Sequence, residues 1–496
     1  MSSTVDYLVV GAGSAGCVAA AELSRREAGR VLVLEAGPSE RHPLVSMPFG
    51  LVWLMKSRRD WNFQSAPMAA AGGRRIAIPR GRMVGGSGSI NSMVWFRGRA
   101  SDFDGWAQPG WTWRDVLPAF EAVEARLRPT PMHDAHPLVS ALPAMLPGNG
   151  DAPSPDYESA GPMSHNRVAG RRNSAADAFL RPASVEVRTG VQVDCLIWSG
   201  DRAAGVRLVD GSEITAAKGV VLSAGSLASP AVLMRSGLGD WGDLRALGID
   251  TRIDAPEIGQ NLHDHPGFGL HFEGPGTGYG LEPRQWPAWA IAALRYPFGS
   301  GRLTSPTVEG GAFFNARGAD LEPDVQSHFI PFHLDHRGRK YALKSGYFAD
   351  VCLCRPKSRG TFRLADRNPR AAPVIDLGLF NDESDLETMT AGVERLRRLL
   401  QRAEFGALRG VEVAPGPKVV GEDLRETIRA GAGTAYHPVG TIRMGGPVTP
   451  RLRVEGTRNL WVADASVMPR ITSANTNAPS MMIGWRAADF ITEDTR

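Results

Sequence analysis

Near its start the chain runs Asp6-Tyr-Leu-Val-Val-Gly-Ala-Gly-Ser-Ala-Gly16, and few folds accommodate such a stretch. Tyr7 to Val10 is a short apolar run that reads as a buried strand. Gly11, Gly13 and Gly16 break it, and the Ala-rich residues from Cys17 to Arg26 read as a helix. A second apolar run, Val31 to Leu34, ends at Glu35. In a G-x-G-x-x-G turn the first glycine permits the tight bend. The second lets backbone approach a pyrophosphate, and the third lets helix pack on strand. The helix N-terminus offers unpaired N–H groups to phosphate, and Glu35 stands where a carboxylate accepts from a ribose diol. Two strands, a glycine turn and a terminal acid in one short unit predict a dinucleotide-binding Rossmann fold.

At 496 residues the chain holds about three domains' worth of protein. The net charge is only +4, and the basic residues are scattered, so nucleic acid is not an expected partner. Short clusters such as Arg171-Arg172 read as solvated faces. The four cysteines, Cys17, Cys195, Cys352 and Cys354, have no metal-ligand spacing; reduced thiols and a cytoplasmic location are expected. Gly11 interrupts the only early apolar run, which argues against a signal peptide. No stretch approaches roughly 18 uninterrupted apolar residues, so no membrane span is expected.

Prolines from Pro38 to Pro67 mark an excursion near 38–75, which Trp53, Trp61 and Phe63 are expected to tuck onto the body. Gly81 to Gly98 holds five glycines and three serines in 18 residues. Such a run brings backbone N–H groups close to a ligand rather than forming a regular element. Interleaved Met83, Val84, Ile90 and Val94 argue that it is packed. Residues 128–164 are rich in Pro, Gly, Ser and Asp, and read as a surface connection. Alternating segments between Val185 and Val221, with Asp210-Gly211 as a turn, predict a meander. Beyond about 265 the pattern changes. Trp286 to Phe298 reads as an apolar helix that forms a packed wall. Strands are expected near Val325–Phe332 and Tyr347–Cys354, and an amphipathic helix over Asp385–Gln401. The predicted class is α/β. A Rossmann-like domain of residues 1–264 plus 431–496 joins a second, α+β domain, 265–430, whose antiparallel sheet is covered by helices.

Three further stretches carry a family resemblance: 81–98, Gly225 to Gly239, and the tail with His437-Pro-Val-Gly-Thr, Asp464-Ala-Ser-Val-Met-Pro469 and Asn475-Thr-Asn-Ala-Pro479. Together with the opening unit they resemble the glucose–methanol–choline (GMC) oxidoreductases, FAD-dependent enzymes that oxidise alcohols. The resemblance implies that FAD lies on Gly11, Gly13, Ser14, Ala15, Glu35 and Ala36, with Val193 offering backbone to the adenine. Gly86, Ser87, Asn91, Ser92 and Val94 would line the pyrophosphate and flavin, and Asp464, Ala465, Thr476 and Asn477 would close the pocket. Some members join flavin covalently to a histidine; Ile90 stands at that position here, so non-covalent FAD is expected. No metal is expected. His263 and His265, close together in Asn261-Leu-His-Asp-His265, suggest a metal on spacing alone, but in this family a structural loop is the better reading.

Hydride leaves an alcohol carbon easily only when the hydroxyl proton departs, and a neutral imidazole is the natural acceptor near neutral pH. The resemblance implies that His437 is this base and that Asn475 is its partner, binding oxygen without taking a proton. An ordinary imidazole would titrate near pH 6–7. The second domain would set specificity, and Glu309, Phe332 and His333 resemble positions near substrate in relatives. The expected activity is oxidation of a small alcohol by hydride transfer to flavin N5, with oxygen or another acceptor reoxidising FAD. A hydroxynitrile-lyase-like activity on the same scaffold is the alternative, and a noncatalytic FAD-binding protein is the third.

Overall fold

The computed structural model describes residues 5–146, 152–319, 321–332 and 344–494. Val5–Val10 has no alternation of apolar and polar residues because both its faces are covered: Tyr7 to Val10 are all buried. It pairs in parallel with Val31–Glu35 on one side and with Glu213–Leu222 on the other. Glu186–Thr189 extends the parallel sheet beyond Val31–Glu35. Leu460–Val462, returning from the far end of the chain, pairs in parallel with Glu213–Leu222. The first half of Glu213–Leu222 also pairs antiparallel with Arg202–Leu208, which pairs with Val193–Ser199. This is the expected meander, with the Asp210 carboxylate accepting from Ser212 N at the turn.

The helix Ser14–Arg25 packs against Asn477–Asp494. That C-terminal helix begins at Asn477, so Pro479 lies in its first turn. Residues 81–98 form only a single 3-10 turn, Gly86–Ser89. They are nonetheless fixed, since Met83, Val84, Ile90 and Val94 are all buried.

The second sheet is antiparallel, in the order Val411–Ala414, Pro266–Glu273, Gly346–Leu353, Val325–Ile330, Gly310–Phe314 and Ser159–Pro162. Pro266–Glu273 alternates buried and half-buried residues along its length, the signature of a sheet with one covered face. Helix Glu383–Leu400 packs on Gly346–Leu353.

Three sequence readings are corrected here. The described part of 128–164 is not a surface connection: Leu138, Val139 and Leu142 are buried, and Ser159–Pro162 hydrogen-bonds into the second sheet. Gly433–Thr434 joins that sheet too, beside Pro266–Glu273. In the 38–75 excursion Phe63 packs on the core as expected, but Trp53 is 42% exposed, and Phe49 and Leu54 are among the buried residues instead. The apolar helix Trp286–Arg295 is not a packed wall, because Ala292 alone of its residues is buried. Among the described residues no helix is long and apolar enough to cross a membrane.

Candidate active site

A cavity of about 1450 Å³ is lined by residues of both sheets. Gly11, Gly13, Ser14, Ala15, Glu35, Ala36 and Val193 line it. So do Gly86, Ser87, Asn91, Ser92, Val94, Asp464, Ala465, Thr476 and Asn477. Side-chain and backbone contacts connect these groups. Gly86 has φ +54, and a Cβ there would stand 2.7 Å from Gly13 Cα, so the two glycine stretches touch backbone to backbone. Ser14 Oγ donates to Asn477 Oδ1 at 2.7 Å. Glu35 accepts from Ala12 N at 3.0 Å and from Gly37 N at 2.8 Å. Burial pushes its carboxyl up to about 7, against the pull of those two N–H groups. Asp464 accepts from Gly225 N, Ser229 Oγ and Ser466 N, which ties the 225–229 loop to the tail.

Arg172 is a residue that sequence reading misplaced. Its guanidinium is buried, not solvated, and donates to Gly88 O, Asn91 Oδ1 and Asn91 O at 3.0, 2.7 and 2.7 Å. It holds the glycine stretch in shape from behind.

Past Asn477 the cavity reaches His437 and Asn475. Their protonation pattern follows from a chain of hydrogen bonds. Thr472 O can only accept, so His265 Nε2, 2.9 Å away, carries the proton. His265 Nδ1 is then a lone pair, and His437 Nδ1, 3.0 Å from it, is the donor. His437 Nε2 is left as a lone pair, 3.2 Å from Asn475 Nδ2. Asn475 Oδ1 accepts from Gln326 Nε2 at 2.9 Å, which fixes the amide in the same sense. Burial, followed by His265, His328 and Arg80 nearby, drives His437 well below the ordinary imidazole range. The imidazole is therefore neutral, and its Nε2 lone pair faces the Asn475 amide N–H.

A second histidine faces Asn475 from the opposite sheet. The register that pairs Gln326 with Cys352 and Ile330 with Phe348 sets His328 opposite Asp350. His328 Nδ1 lies 3.1 Å from both Asp350 oxygens, and its Nε2 is 3.4 Å from Asn475 Nδ2. Burial alone would lower this imidazole, but the Asp350 charge outweighs it and the net shift is upward. His328, Asp350 and Cys352 also bring ligand atoms within 4.8 Å of one another. Burial holds the Cys352 thiol far above its usual range, so it donates to Asp350 Oδ2 at 3.4 Å as a neutral group.

The loop Asn261-Leu-His-Asp-His265 braces His437. His263 Nε2 accepts from Ile471 N, Asp264 Oδ1 accepts from His437 N, and His265 bridges Thr472 O to His437. Gly440 has φ +89, and a Cβ there would lie 2.6 Å from Asn261 O. Only glycine lets the His437 loop close onto this brace.

The GMC oxidoreductase family model matches residues 5–267 and 356–484. An alcohol dehydrogenase [acceptor] from Pseudomonas putida is 35% identical over 98% of this chain and 95% of its own length. The chain belongs to the GMC oxidoreductase family. An oxygen-dependent choline dehydrogenase from Sinorhizobium fredii is 36% identical over the same shares. Among solved structures, pyridoxine 4-oxidase from Mesorbium loti matches with a TM-score of 0.85 at 28% identity, covering 98% of each chain. Formate oxidase from Aspergillus oryzae shares the fold, with a TM-score of 0.87 at 23% identity over 100% of this chain and 99% of that one.

As a GMC oxidoreductase this chain is an FAD-dependent enzyme, and its cavity fits that cofactor. Asn477 Nδ2 is buried without a hydrogen-bond partner and belongs to a residue that lines the cavity. A Cβ on Gly13 would meet only Ser223 O, at 3.8 Å, so open space lies before it. Ile90 packs with Val45, Leu54 and Met83 and offers no atom for a covalent link.

Of the expected substrate-side residues, Phe332 lines the cavity and His333 lies outside the described residues. Glu309 does not line the cavity. Its carboxylate is enclosed, accepting from His136 N, Tyr279 OH and Ser305 Oγ at 2.7, 3.1 and 2.6 Å. Burial lifts it to about 7, and its role is to tie three segments together. Sequence reading passed over His328, Asp350, Gln326 and Thr472. The available signal was period-two alternation: Gln326 with His328, and Asp350 with Cys352, put polar side chains on one face of strands otherwise rich in buried apolar residues.

Proposed function

We propose that this enzyme oxidises a small neutral alcohol to its carbonyl, with His437 as the general base. The observation that supports this most directly is the lone pair of His437 Nε2, held 3.2 Å from Asn475 Nδ2 in the cavity. Bound on the two glycine stretches, Glu35 and the start of the C-terminal helix, FAD would supply the acceptor for the hydride leaving the alcohol carbon. The chain's own residues supply the rest. His437 Nε2 has a single lone pair, so a hydroxyl bound there takes the place of the Asn475 N–H, which is released to donate to the alcohol oxygen. His437 Nε2 takes the hydroxyl proton, while its Nδ1–H stays on His265. The Asp264 carboxylate, whose Oδ1 accepts from His437 N, has a buried Oδ2 without a partner and offsets the positive charge gained by the ring. From the other side the His328–Asp350 pair offers a donor to the oxygen as negative charge develops there.

Apolar Ile330, Phe332 and Phe348 line the cavity beside this group. Asp350 is engaged by His328 and Glu309 is enclosed, so neither carboxylate is free to meet a cationic head. This favours a neutral alcohol over choline, which relatives of this chain are named for. The dehydrogenase and oxidase names of the relatives favour net oxidation over cyanohydrin cleavage, and either oxygen or another acceptor fits the reoxidising half. We take residues 1–264 with 431–496 as the FAD domain and 265–430 as the substrate domain, the latter extended by the 159–162 and 433–434 strands. The test is anaerobic addition of a panel of neutral alcohols and choline to the holoenzyme. The flavin absorbance should bleach with a neutral alcohol and recover when oxygen or a dye acceptor is admitted. Bleaching by none of them, or cyanide release from a cyanohydrin without bleaching, would contradict the reading.

A further inference from the structure

The segment Trp286–Arg295, continued by the turn Tyr296–Phe298, leaves apolar side chains uncovered. Trp286 is 63% exposed, Ile291 49%, Leu294 74% and Phe298 86%. Trp286, Ala290, Leu294 and Phe298 recur every fourth residue, which in a helix is one face. The opposite face holds the element in place: Ala292 is buried and Trp289 rests against Phe49 at 5.3 Å. Phe49 also touches Trp53, itself 42% exposed and followed by exposed Lys56 and Arg58.

Charge beside this face is predominantly positive: exposed Lys56, Arg58, Arg284 and Arg295 stand against Glu282. Between Pro283 and Val308 the sequence contains no Asp or Glu and three arginines, Arg284, Arg295 and Arg302. Arg302 is turned inward, donating to Gln285 Oε1 at 2.8 Å and lying over the Tyr279 ring. Arg284 and Arg295 flank the apolar face. Arg284 pairs with Glu282 just outside the run, and Arg295 has no ion-pair partner among the described residues. A contiguous apolar surface of this kind marks a docking site. Aromatic rings at both ends, with arginines beside them and no carboxylate within the run, are the pattern of a helix lying in a lipid headgroup layer.

We propose that this face docks the enzyme on an anionic phospholipid surface. A second copy of the chain fits less well, because a twofold contact would bring the same cations together without a carboxylate from this run to pair them. The docked face lies beside the substrate side of the cavity: Phe49 meets Phe332 edge-on at 5.6 Å, and Phe332 lines the cavity wall. An apolar alcohol or acceptor dissolved in acyl chains would arrive two aromatic rings from the site.

The holoenzyme should be sedimented with vesicles of equimolar phosphatidylglycerol and phosphatidylcholine, and with vesicles of phosphatidylcholine alone. It should pellet with the first far more than with the second, and added salt should weaken that binding. The double variant Leu294→Ser, Phe298→Ser should partition about tenfold less, with its flavin spectrum unchanged, since neither residue lines the cavity. The pair Arg284→Gln, Arg295→Gln should remove the salt-sensitive part. Retention of the parent in the supernatant with both vesicle types would overturn the proposal. So would equal, salt-insensitive binding to both. A light-scattering mass of a dimer that the serine variant returns to monomer, without vesicle binding, would assign the face to self-association instead.

Discussion

At its nucleotide end the cavity is lined in part by two glycine-rich stretches, 11–16 and 81–98, whose backbones meet at Gly13 and Gly86. At its oxidising end the polar groups are side chains brought from separate segments: His265 and Asp264 from one loop, Gln326, His328 and Asp350 from two strands, His437 and Asn475 from the tail. The first end is a steric device, in which what matters is that nothing protrudes. The second is an electrostatic device, in which each group's charge is set by its neighbours. The same burial that lowers His437 is outweighed at His328 by Asp350, so two imidazoles on either side of one amide are shifted in opposite directions. Damage to the first end should remove the cofactor and spare the fold. Damage to the second should spare the cofactor and slow the chemistry.

The largest effect is expected at the steric end. Gly13→Val fills the open space before Gly13 while meeting little protein, and should purify as folded, largely flavin-free protein. Absorbance of the released flavin and the melting curve together check this; a full complement of FAD would place the pyrophosphate elsewhere. An intermediate effect is expected where electrostatics takes over. His265→Ala removes the group that fixes the proton on His437 Nδ1, so flavin should remain bound while its reduction by alcohol slows by about 10–100-fold. Reduction at the parent rate would mean that the His437 tautomer is set by something else. The smallest effect is at Glu35. Glu35→Ala removes the proposed ribose acceptor and strands Ala12 N and Gly37 N, and should weaken FAD by about 1–3 kcal/mol in equilibrium titration. Unchanged affinity would remove Glu35 from the cofactor site.

The same contrast explains what sequence could and could not reveal. The opening unit was legible because strand, turn, helix and acid are consecutive, and a local rule constrains each. The antiparallel second sheet was legible from apolar runs at strand length and from helix periodicity in Glu383–Leu400. The His328–Asp350 pair was not, because register between strands 325–330 and 346–353 depends on how they pair. Arg172 and Glu309 were misjudged for a related reason: a charged residue in sequence carries no mark of whether it will be buried. Arg172 is buried against Gly88 and Asn91, and Glu309 against His136, Tyr279 and Ser305. Trp286–Phe298 erred the other way, since an apolar helix normally finds a partner within its own chain and this one leaves most of its surface bare.

The central claim is that His437 is a neutral base held ready at Nε2, and anaerobic stopped-flow reduction across pH tests it most directly, because it reads the oxidative step without reoxidation. Burial and the neighbouring His265, His328 and Arg80 lower the His437 value, so the unprotonated base persists as pH falls. The parent should keep its full reduction rate through pH 6.5, the ordinary imidazole value of about 6.5 notwithstanding, and lose it only at lower pH. His437→Ala should retain FAD, reduce it about 10²–10⁴-fold more slowly, and lose that acid limb. An acid limb in the parent at or above the ordinary imidazole value would contradict the account, as would a His437→Ala variant that reduces its flavin as fast as the parent.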